Sequence, residues 1–352
     1  MDSVANNPHF GDHQKHIIKK FHQTHGIGHL LRQSGASKAR GIPVARTFLF
    51  IFSIVFTGKS LFRTLKEHSG DPEVLRKDVI YRFLQTPKID WMGFLTTLSA
   101  KIITRMIPLT DSNRCNVFII DDSIYDRSRS KKVELLAKVY DHAKHIYGYG
   151  YRMLTLGWSD GTSFIPINFC LMSSADRTKQ LISERVHTSQ AARKRRALAQ
   201  QKAPDTAIAM LQSAKQAGIQ ATHVLFDSWF SFPAMILQVA QMGYHTVAMV
   251  KKSKKVYYEF NGKRQSVKDI YRQCKKRRGR SRYLLSVEVG LTRQSGSSLP
   301  ARLVFVRNRK NRKEYLVLLC TDMTMDEDEI IQTYGKRWAI LSLVSELSRV
   351  SA

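Results

Sequence analysis

The sequence has 352 residues, of which 43% are hydrophobic, so a packed core can form and the composition excludes a wholly disordered chain. Fifty-seven Lys and Arg against 28 Asp and Glu give a formal net charge of +29, which attracts polyanions and makes nucleic acid the first partner to consider. The longest apolar stretch, residues 48–56, is shorter than the ~20 residues of a membrane-spanning helix, so we interpret it as a core helix and expect no membrane partner.

The N-terminal segment predicts a cytoplasmic protein, because its first twenty residues contain no apolar stretch typical of a secretory signal. The four cysteines are scattered singly without a C-x-x-C pair, which argues against a zinc ribbon and a disulfide framework. Four histidines between His16 and His29 match no familiar metal-ligand spacing. We interpret residues 1–40 as a polar, basic arm in contact with solvent.

From Gly41 to about residue 110 the pattern is helical, with short helices separated by Gly and Pro. The third segment, RKDVIYRFL at residues 76–84, is basic and aromatic. Such a segment could form a helix-turn-helix that enters a DNA groove. An ordinary helical bundle with solvated charges explains the pattern equally well, so both readings of residues 41–110 stay open.

Residues 111–250 predict an α/β core, because strands alternate with helices. The apolar run at residues 117–120 predicts a buried strand, and Asp160 with Gly161 marks the turn of a β-hairpin. A polar, basic connection is predicted around residues 192–201. The remaining predicted elements are a helix from Pro204, a strand at residues 223–226, a helix from Pro233 and a strand at residues 244–250.

Residues 251–322 predict a β-rich insertion with a basic surface. They contain short strands, an Asn261-Gly262 turn and a dense basic run at residues 275–282. Residues 323–352 then begin a helix, for which Thr324 and Glu327 predict a capping box.

Two carboxylates occupy equivalent places, since Asp121 and Asp227 each follow a short apolar run that reads as a core strand. Carboxylates at adjacent strand ends can share one cleft and bind hard divalent cations such as Mg²⁺. Two such ions would stabilise the attacking and leaving oxygens of a phosphoryl displacement. An Asp after a strand is also commonly a turn former or a helix N-cap, so neither residue alone establishes a metal site.

Taken in order, these blocks carry a family resemblance. Asp121 has Ser123 two residues later, Asp227 stands in VLFDSWF about a hundred residues on, and Tyr334 and Arg337 open a helix after the β-rich segment. This order resembles the DDE transposases of cut-and-paste insertion sequences, in particular the group with the Y-x2-R-x3-E-x6-K signature. The resemblance covers roughly residues 116–340.

The resemblance implies an RNase H-like catalytic core with a β-rich insertion and an N-terminal helical DNA-binding region. It also implies two Mg²⁺ ions, for which Mn²⁺ could substitute. The expected partners are double-stranded DNA at transposon ends, target DNA and a second copy of the chain, since the family acts as a homodimer on paired ends. The expected location is the bacterial cytoplasm, associated with the nucleoid.

The resemblance also implies roles for individual residues. Asp121 and Asp227 match the first and second catalytic, metal-binding carboxylates, with Asp122 as the alternative to Asp121. Tyr334 and Arg337 match the pair that contacts DNA near the cleaved end, which suits a planar guanidinium facing phosphate.

The signature then fails, because Leu341 stands where the third catalytic carboxylate is due and Ser348 where the Lys is due. Glu346 would lie about 140° away around the same helix, so it is a poor substitute. We therefore expect a frameshifted or truncated transposase that retains DNA binding and has impaired cleavage. Two other hypotheses stay open: a non-catalytic DNA-binding repressor or architectural protein, and a nuclease acting on RNA or hybrids, which would not explain Tyr334 and Arg337.

Overall fold

The computed structural model of the chain describes residues 12–71, 74–110, 114–130, 133–141, 145–181, 187–279, 281–292, 298–308, 311 and 314–340. Within these ranges a helical region precedes a mixed β-sheet with helices on both faces, which confirms the predicted α/β class. No helix among these residues combines the length and the apolar character that a bilayer-spanning segment requires.

The helices predicted between residues 41 and 110 are confirmed, and their core is aromatic. The ring of Phe48 lies 5.5 Å from that of Phe94 and 6.3 Å from that of Trp91. The apolar stretch at residues 48–56 belongs to one of these helices, as predicted. The helices are α1 (Asp12–Thr24), α2 (Ile27–Gln33), α3 (Val44–Val55), α4 (Leu61–Glu67), α5 (Lys77–Leu84) and α6 (Trp91–Met106).

The prediction of a solvated arm over residues 1–40 is wrong for residues 12–33. Residues 12–33 form α1 and α2, and α2 buries Ile27, Leu30 and Leu31 in the same cluster as Phe94. Leu30 and Leu31 follow Ile27 by three and four residues, the spacing of one helical face, and the polar and basic residues around them obscured that pattern in the sequence. This segment is therefore part of the helical bundle.

The helix-turn-helix reading does not describe α4 and α5. Their connection runs from His68 to Arg76, longer than the turn of roughly three or four residues that the motif uses. The bundle reading fits this region, and α6 joins it to the sheet. Ser99 Oγ of α6 donates to the carbonyl of Pro166 at 2.6 Å, and Thr96 Oγ1 donates to that of Ile167 at 3.2 Å.

The described residues contain twelve strands of one sheet. They are β1 (Val117–Asp126), β2 (Leu136–Asp141), β3 (Ile146–Ser159), β4 (Phe164–Met172), β5 (Gln180–Leu181), β6 (His223–Phe226), β7 (His245–Met249), β8 (Tyr257–Phe260), β9 (Lys263–Ser266), β10 (Tyr283–Thr292), β11 (Ser298–Arg307) and β12 (Tyr315–Cys320). The order across the sheet is β5-β2-β3-β1-β6-β7-β12-β11-β10-β8-β9, and β4 pairs with the second half of β3.

The centre of the sheet combines antiparallel and parallel pairs. The strand β1 pairs antiparallel with β3, which pairs antiparallel with β4 through the predicted turn at Asp160 and Gly161. On its other side β1 pairs parallel with β6, and β6 pairs parallel with β7. Parallel neighbours place their carboxyl ends at one edge of the sheet, which is where the candidate carboxylates are expected to meet.

The β-rich residues 251–322 continue this sheet and do not form a separate layer. The strand β12 pairs antiparallel with β7, and β11, β10, β8 and β9 extend the sheet beyond it. The predicted turn at Asn261 and Gly262 is confirmed, with φ angles of 51° and 70°, the left-handed conformation that tight hairpins require.

Helices pack on both faces of the sheet, and two of them were not predicted. The predicted polar connection around residues 192–201 is instead largely α7, and α10 lies within the β-rich segment. The helices of this part are α7 (Gln190–Ala199), α8 (Ala203–Gln216), α9 (Pro233–Gln241), α10 (Val267–Gln273) and α11 (Glu327–Gly335).

Alternation along β1 assigns its side chains to two cores. Phe118 and Ile120 join the cluster that contains residues of α6, α8 and α9, whereas Val117 and Ile119 join the cluster that contains Ile330 of α11. Because successive side chains of a strand point to opposite faces, the odd-numbered positions of β1 face α11.

The capping box of α11 lies two residues after the predicted one. The backbone N–H of Glu329 donates to Asp326 Oδ1 at 2.8 Å, and the backbone N–H of Asp326 donates to Glu329 Oε2 at 2.9 Å. Thr324 instead donates its hydroxyl to Asp322 Oδ1 at 2.6 Å. Both pairs have the same sequence spacing, so the spacing alone did not identify the pair that caps the helix.

We expect the substitution Asp326→Ala to lower the free energy of unfolding by about 1 kcal/mol, because it removes a side-chain cap from α11. Asp328→Ala is the matched control, since it removes an acidic charge from the same turn without touching the cap. Urea denaturation of the two variants measures the difference. Equal losses of stability in both variants would contradict the assignment of the cap.

Candidate active site

The pairing of β1 with β6 brings Asp121 and Asp227 together. Val117 pairs with His223 and Ile119 with Leu225, and the same offset continued for two residues places Asp227 beside Asp121. Asp121 lies within β1, whereas Asp227 follows the last residue of β6. Both positions are odd-numbered and therefore on the face of α11, so the predicted meeting of the two carboxylates is found in the structure.

Arg337 binds both carboxylates. Its Nη2 donates to Asp121 Oδ1 at 3.1 Å and lies 3.9 Å from Asp227 Oδ2. The side chains of Arg337 and Asp121 are 9% and 7% exposed, so this ion pair is formed away from solvent. A buried charge needs such a partner, because an uncompensated one would cost several kcal/mol.

Asp122 has a different environment. It forms an ion pair with Arg152 of β3, and alternation directs it away from the face of α11. The guanidinium of Arg152 also lies 5.4 Å from the ring of Trp229. The structure therefore separates the two adjacent aspartates: Asp121 faces Asp227 and Arg337, and Asp122 faces a basic and aromatic surface.

Tyr334 and Arg337 reach the site from a helix end and not from a continuous helix. The last residue of α11 is Gly335, a turn at residues 336–337 follows, and residues 338–340 are helical again. Both side chains are nevertheless buried, and the guanidinium lies 6.0 Å from the centroid of the Tyr334 ring. Leu341, Glu346 and Ser348, on which the failed signature depends, lie outside the described residues.

The electrostatics of the site are dominated by burial. The pKa of Asp121 is raised to about 6, chiefly by burial, with Arg337 opposing the rise and the charges of Asp227 and Asp122 adding to it. Burial also raises the pKa of Tyr334 to about 12, so its phenol is neutral at physiological pH. The site therefore contains a carboxyl group that can hold a proton near neutrality beside a permanent positive charge.

Several polar atoms beside the carboxylates lack a partner within the described part of the chain. They are Ser123 Oγ, Thr155 Oγ1 and Arg337 Nε, all of them buried. Thr155 pairs directly with Asp121 across β1 and β3, and Ser123 is the next residue of β1 on the same face. Unpartnered buried oxygens beside two carboxylates fit a polar ligand such as a hydrated divalent cation.

The residues that the structure describes supply two acidic ligands and no third. Among them no group of three or more His, Cys, Asp or Glu side chains could hold a metal ion. Asp121 and Asp227 are the residues that could hold a divalent cation, and Arg337 would have to move to admit one near both carboxylates.

Sequence reasoning missed Trp229, which lies next to the site. Its backbone N–H donates to Asp227 Oδ1 at 2.8 Å, and its ring is 46% exposed. Lys251 Nζ lies 4.4 Å from the ring centroid, and Arg152 approaches the same ring. The sequence offered one signal for this surface, the Trp of VLFDSWF. It could not reveal the two cations, because Arg152 and Lys251 are far from Trp229 along the chain.

Comparison with known proteins gives one family match. The model of a family described as "DDE superfamily endonuclease" (DDE_5) matches residues 54–300, a range that includes both aspartates and ends before Tyr334. No curated protein matches. Among solved structures, a chain of the "Drosophila P element transposase strand transfer complex" is 10% identical with a TM-score of 0.28, and the match covers 74% of this chain and 55% of that one. Likeness at that level supports no argument about this chain.

We expect Asp121→Asn to change how stability depends on pH. Because the pKa of Asp121 is higher in the folded protein than in the unfolded chain, its contribution to stability is complete below the ordinary pKa and is lost as pH rises through about 6. Relative to the native protein, the variant should gain up to about 3 kcal/mol of unfolding free energy between about pH 4 and pH 7. Urea denaturation in the presence of a chelator measures it, and a constant difference over that range would contradict the burial of Asp121.

Proposed function

The chain belongs to the DDE superfamily endonucleases, and from this premise we propose that it is an insertion-sequence transposase by descent, of the group with the Y-x2-R-x3-E-x6-K signature. Its substrate is double-stranded DNA at transposon ends, and its chemistry is phosphodiester cleavage followed by strand transfer. The observation that carries the proposal is the single guanidinium of Arg337, which binds Asp121 and bridges toward Asp227.

The strand order supports an RNase H-like core. In that arrangement three antiparallel strands are followed by two parallel ones, and here β4, β3, β1, β6 and β7 have this order and these directions. Asp121 lies on β1 and Asp227 follows β6, which are the first and the fourth of these five strands in chain order. The sheet changes from antiparallel to parallel pairing at β1.

Asp121 and Asp227 would hold the divalent cation, Mg²⁺ or Mn²⁺, that the family uses. When bound, the cation supplies positive charge to the oxygens of the scissile phosphodiester. A cation held by both carboxylates would require Arg337 to leave Asp121, and its planar guanidinium could then donate two parallel hydrogen bonds to a phosphate. Tyr334 is neutral at physiological pH, and the centroid of its ring lies 6.0 Å from the guanidinium.

Trp229 and its cations provide a surface for the DNA beside the carboxylates. Base–aromatic stacking contributes about 1–3 kcal/mol per base, and the charges of Arg152 and Lys251 attract the phosphate backbone. The surface adjoins Asp227, so a strand lying on Trp229 would have its backbone close to the candidate active site.

The helical region at residues 41–110 is proposed to contact DNA through the exposed side of α5. Lys77 Nζ lies 5.7 Å from the ring of Tyr81 on that side, and the side chain of Arg82 is 70% exposed. The net charge of +29 favours polyanion binding over self-association, so the proposed homodimer would form on paired DNA ends in the bacterial cytoplasm.

We further propose that cleavage by this chain is impaired, because Leu341 stands at the signature position of the third carboxylate. The alternative is a non-catalytic DNA-binding repressor or architectural protein. One observation favours it: Arg337 already forms an ion pair with Asp121 and lies 3.9 Å from Asp227, so both aspartates could serve the fold alone. The two proposals differ in one respect: a transposase needs a divalent metal and a third carboxylate to cleave DNA, whereas a repressor needs neither to bind DNA.

We expect the native chain to bind a duplex carrying the DNA that flanks its coding sequence and to nick it slowly in Mn²⁺. Leu341→Glu should raise nicking at least tenfold, because it restores the missing acidic residue. Added to Leu341→Glu, either Asp121→Asn or Asp227→Asn should abolish the increase in nicking, whereas Asp122→Asn should leave most of it. Gel analysis of end-labelled duplex measures all four variants.

The outcomes of this experiment separate the proposals. Rapid nicking by the native chain that depends on Asp121 would contradict the impairment and support the transposase. Absence of nicking in every variant, together with metal-independent binding, would favour the repressor. Competition among duplex DNA, hybrid and RNA excludes or supports a nuclease that acts on RNA.

Trp229→Ala should weaken the binding of DNA about tenfold, because it removes a stacking surface from the strand path. Tyr257→Ala is the matched control: Tyr257 is 45% exposed and pairs with Arg264, yet it lies at the far end of the sheet. Fluorescence anisotropy measures both affinities with a labelled duplex that carries a single-stranded overhang, because an unpaired base can stack on the indole. Equal losses would show that any exposed aromatic side chain contributes, which would contradict a specific path over Trp229.

A further inference from the structure

A second cluster of reactive groups lies at the other end of β6. His223 is the first residue of that strand, whereas Asp227 follows its last, so the two sites are roughly 13 Å apart along the strand. Cys115 Sγ lies 3.0 Å from His223 Nδ1, and His223 Nε2 lies 3.1 Å from Asp322 Oδ2. A thiol, an imidazole and a carboxylate are thus in line.

The hydrogen bonds of His223 fix which ring nitrogen can act as a base. A carboxylate only accepts, so Asp322 takes the proton of Nε2–H and leaves Nδ1 with a lone pair. Thr222 Oγ1, at 2.8 Å from Nδ1, can donate its hydroxyl to the carbonyl of Asn116 at 3.2 Å. The lone pair of Nδ1 is then directed at the thiol of Cys115.

Burial lowers the pKa of His223, and the charges of His245 and Lys336 lower it further. The charge of Asp322 opposes this decrease. The imidazole is therefore neutral near pH 7 and can accept a proton. Once it does, the carboxylate of Asp322 stabilises the imidazolium, because the two groups share a hydrogen bond in a largely buried place.

A cation is bound to the backbone of Cys115. Lys336 Nζ donates to the backbone carbonyl of Cys115 at 2.6 Å, so its ammonium is held next to that residue. A thiolate formed at Cys115 would be stabilised by Lys336 and by the imidazolium of His223. The same positive charge attracts a negatively charged reagent.

We propose that Cys115, His223 and Asp322 form a nucleophilic thiol site that accepts small anionic disulfides. Nucleophile, base and orienting carboxylate each lie within hydrogen-bond reach of the next, the arrangement that activates a cysteine. The inference is independent of the proposed transposase function, because none of its residues belongs to the carboxylate pair or to Arg337.

The reaction balances without any further oxidant. The proton of the Cys115 thiol passes to His223 Nδ1, and the thiolate attacks one sulfur of the disulfide. The Cys115–sulfur bond forms as the disulfide bond breaks, and the second sulfur leaves as a thiolate that takes the proton from His223 or from water. Cys115 is oxidised to a mixed disulfide, and the leaving sulfur is reduced.

The other three cysteines serve as internal references. Cys170 and Cys320 are buried, and burial raises the pKa of their thiols to about 11 and about 12. Cys274 is half-buried, as Cys115 is, and precedes the basic run at residues 275–282. It therefore matches Cys115 in exposure and in basic surroundings.

The test compares modification rates in the full, reduced chain. Dithiobis(nitrobenzoate), a dianionic disulfide, is added at pH 7 in an amount smaller than that of the protein. The reaction is quenched with acid, and the labelled peptides are quantified by mass spectrometry. Cys115 should react at least tenfold faster than Cys274, and Cys170 and Cys320 should stay unlabelled. A Cys115 rate no higher than that of Cys274 would overturn the proposal.

Variants assign the roles. His223→Ala should reduce the Cys115 rate to that of Cys274 without changing the latter, and continued protection of Cys170 and Cys320 shows that the fold persists. Lys336→Gln should slow the reaction with the dianion more than that with the uncharged dithiodipyridine. An unchanged Cys115 rate in His223→Ala, or equal slowing for both reagents in Lys336→Gln, would overturn the base or the anion preference respectively.

Discussion

The parallel pairing of β1 with β6 is the constraint on which both polar sites depend. It fixes one offset between the apolar first half of β1 and the short strand β6, and that offset places Asp121 beside Asp227. At the other end the residues just before β1 bring Cys115 within 3.0 Å of His223, the first residue of β6. Slippage by one residue would turn the odd-numbered side chains of β1 to the opposite face and separate the aspartates. The buried apolar residues on both faces make such slippage costly.

Arg337 solves the electrostatic problem that this pairing creates. Burial of Asp121 disfavours the charge of its carboxylate, and the neighbouring carboxylate of Asp227 repels that charge. A guanidinium that cannot lose its proton compensates them and in turn connects α11 to the sheet. The same residue is therefore a structural counterion in the described state and a candidate phosphate ligand in the proposed one.

Position in the sheet also explains why the surroundings of the site are basic and aromatic. Asp122, one residue from Asp121, faces the opposite side and binds Arg152, which reaches Trp229. The change from a buried ion pair to a cationic surface takes place within two residues of one strand. A polyanion bound to that surface would lie next to the carboxylates without entering the core.

The sequence by itself determined the α/β class, the positions of the main strands along the chain and the helical character of residues 41–110, because apolar runs and turn residues are local signals. It also identified Asp121 and Asp227 as candidate site residues. It did not reveal α1 and α2 within the basic segment, the helices α7 and α10, or the true capping pair at Asp326 and Glu329. Charged residues obscured the helical spacing of apolar residues in α1 and α2. The spacing of a capping box fitted two pairs, Thr324 with Glu327 and Asp326 with Glu329, so it did not identify the pair that caps α11.

Only the tertiary structure decided which side chains meet. The bonds from Arg337 to Asp121, from Arg152 to Asp122 and from Cys115 to His223 join residues that are distant in sequence. No local pattern encodes these distances. They follow from strand register and from the packing of α11 on one face of the sheet, which are properties of the whole chain.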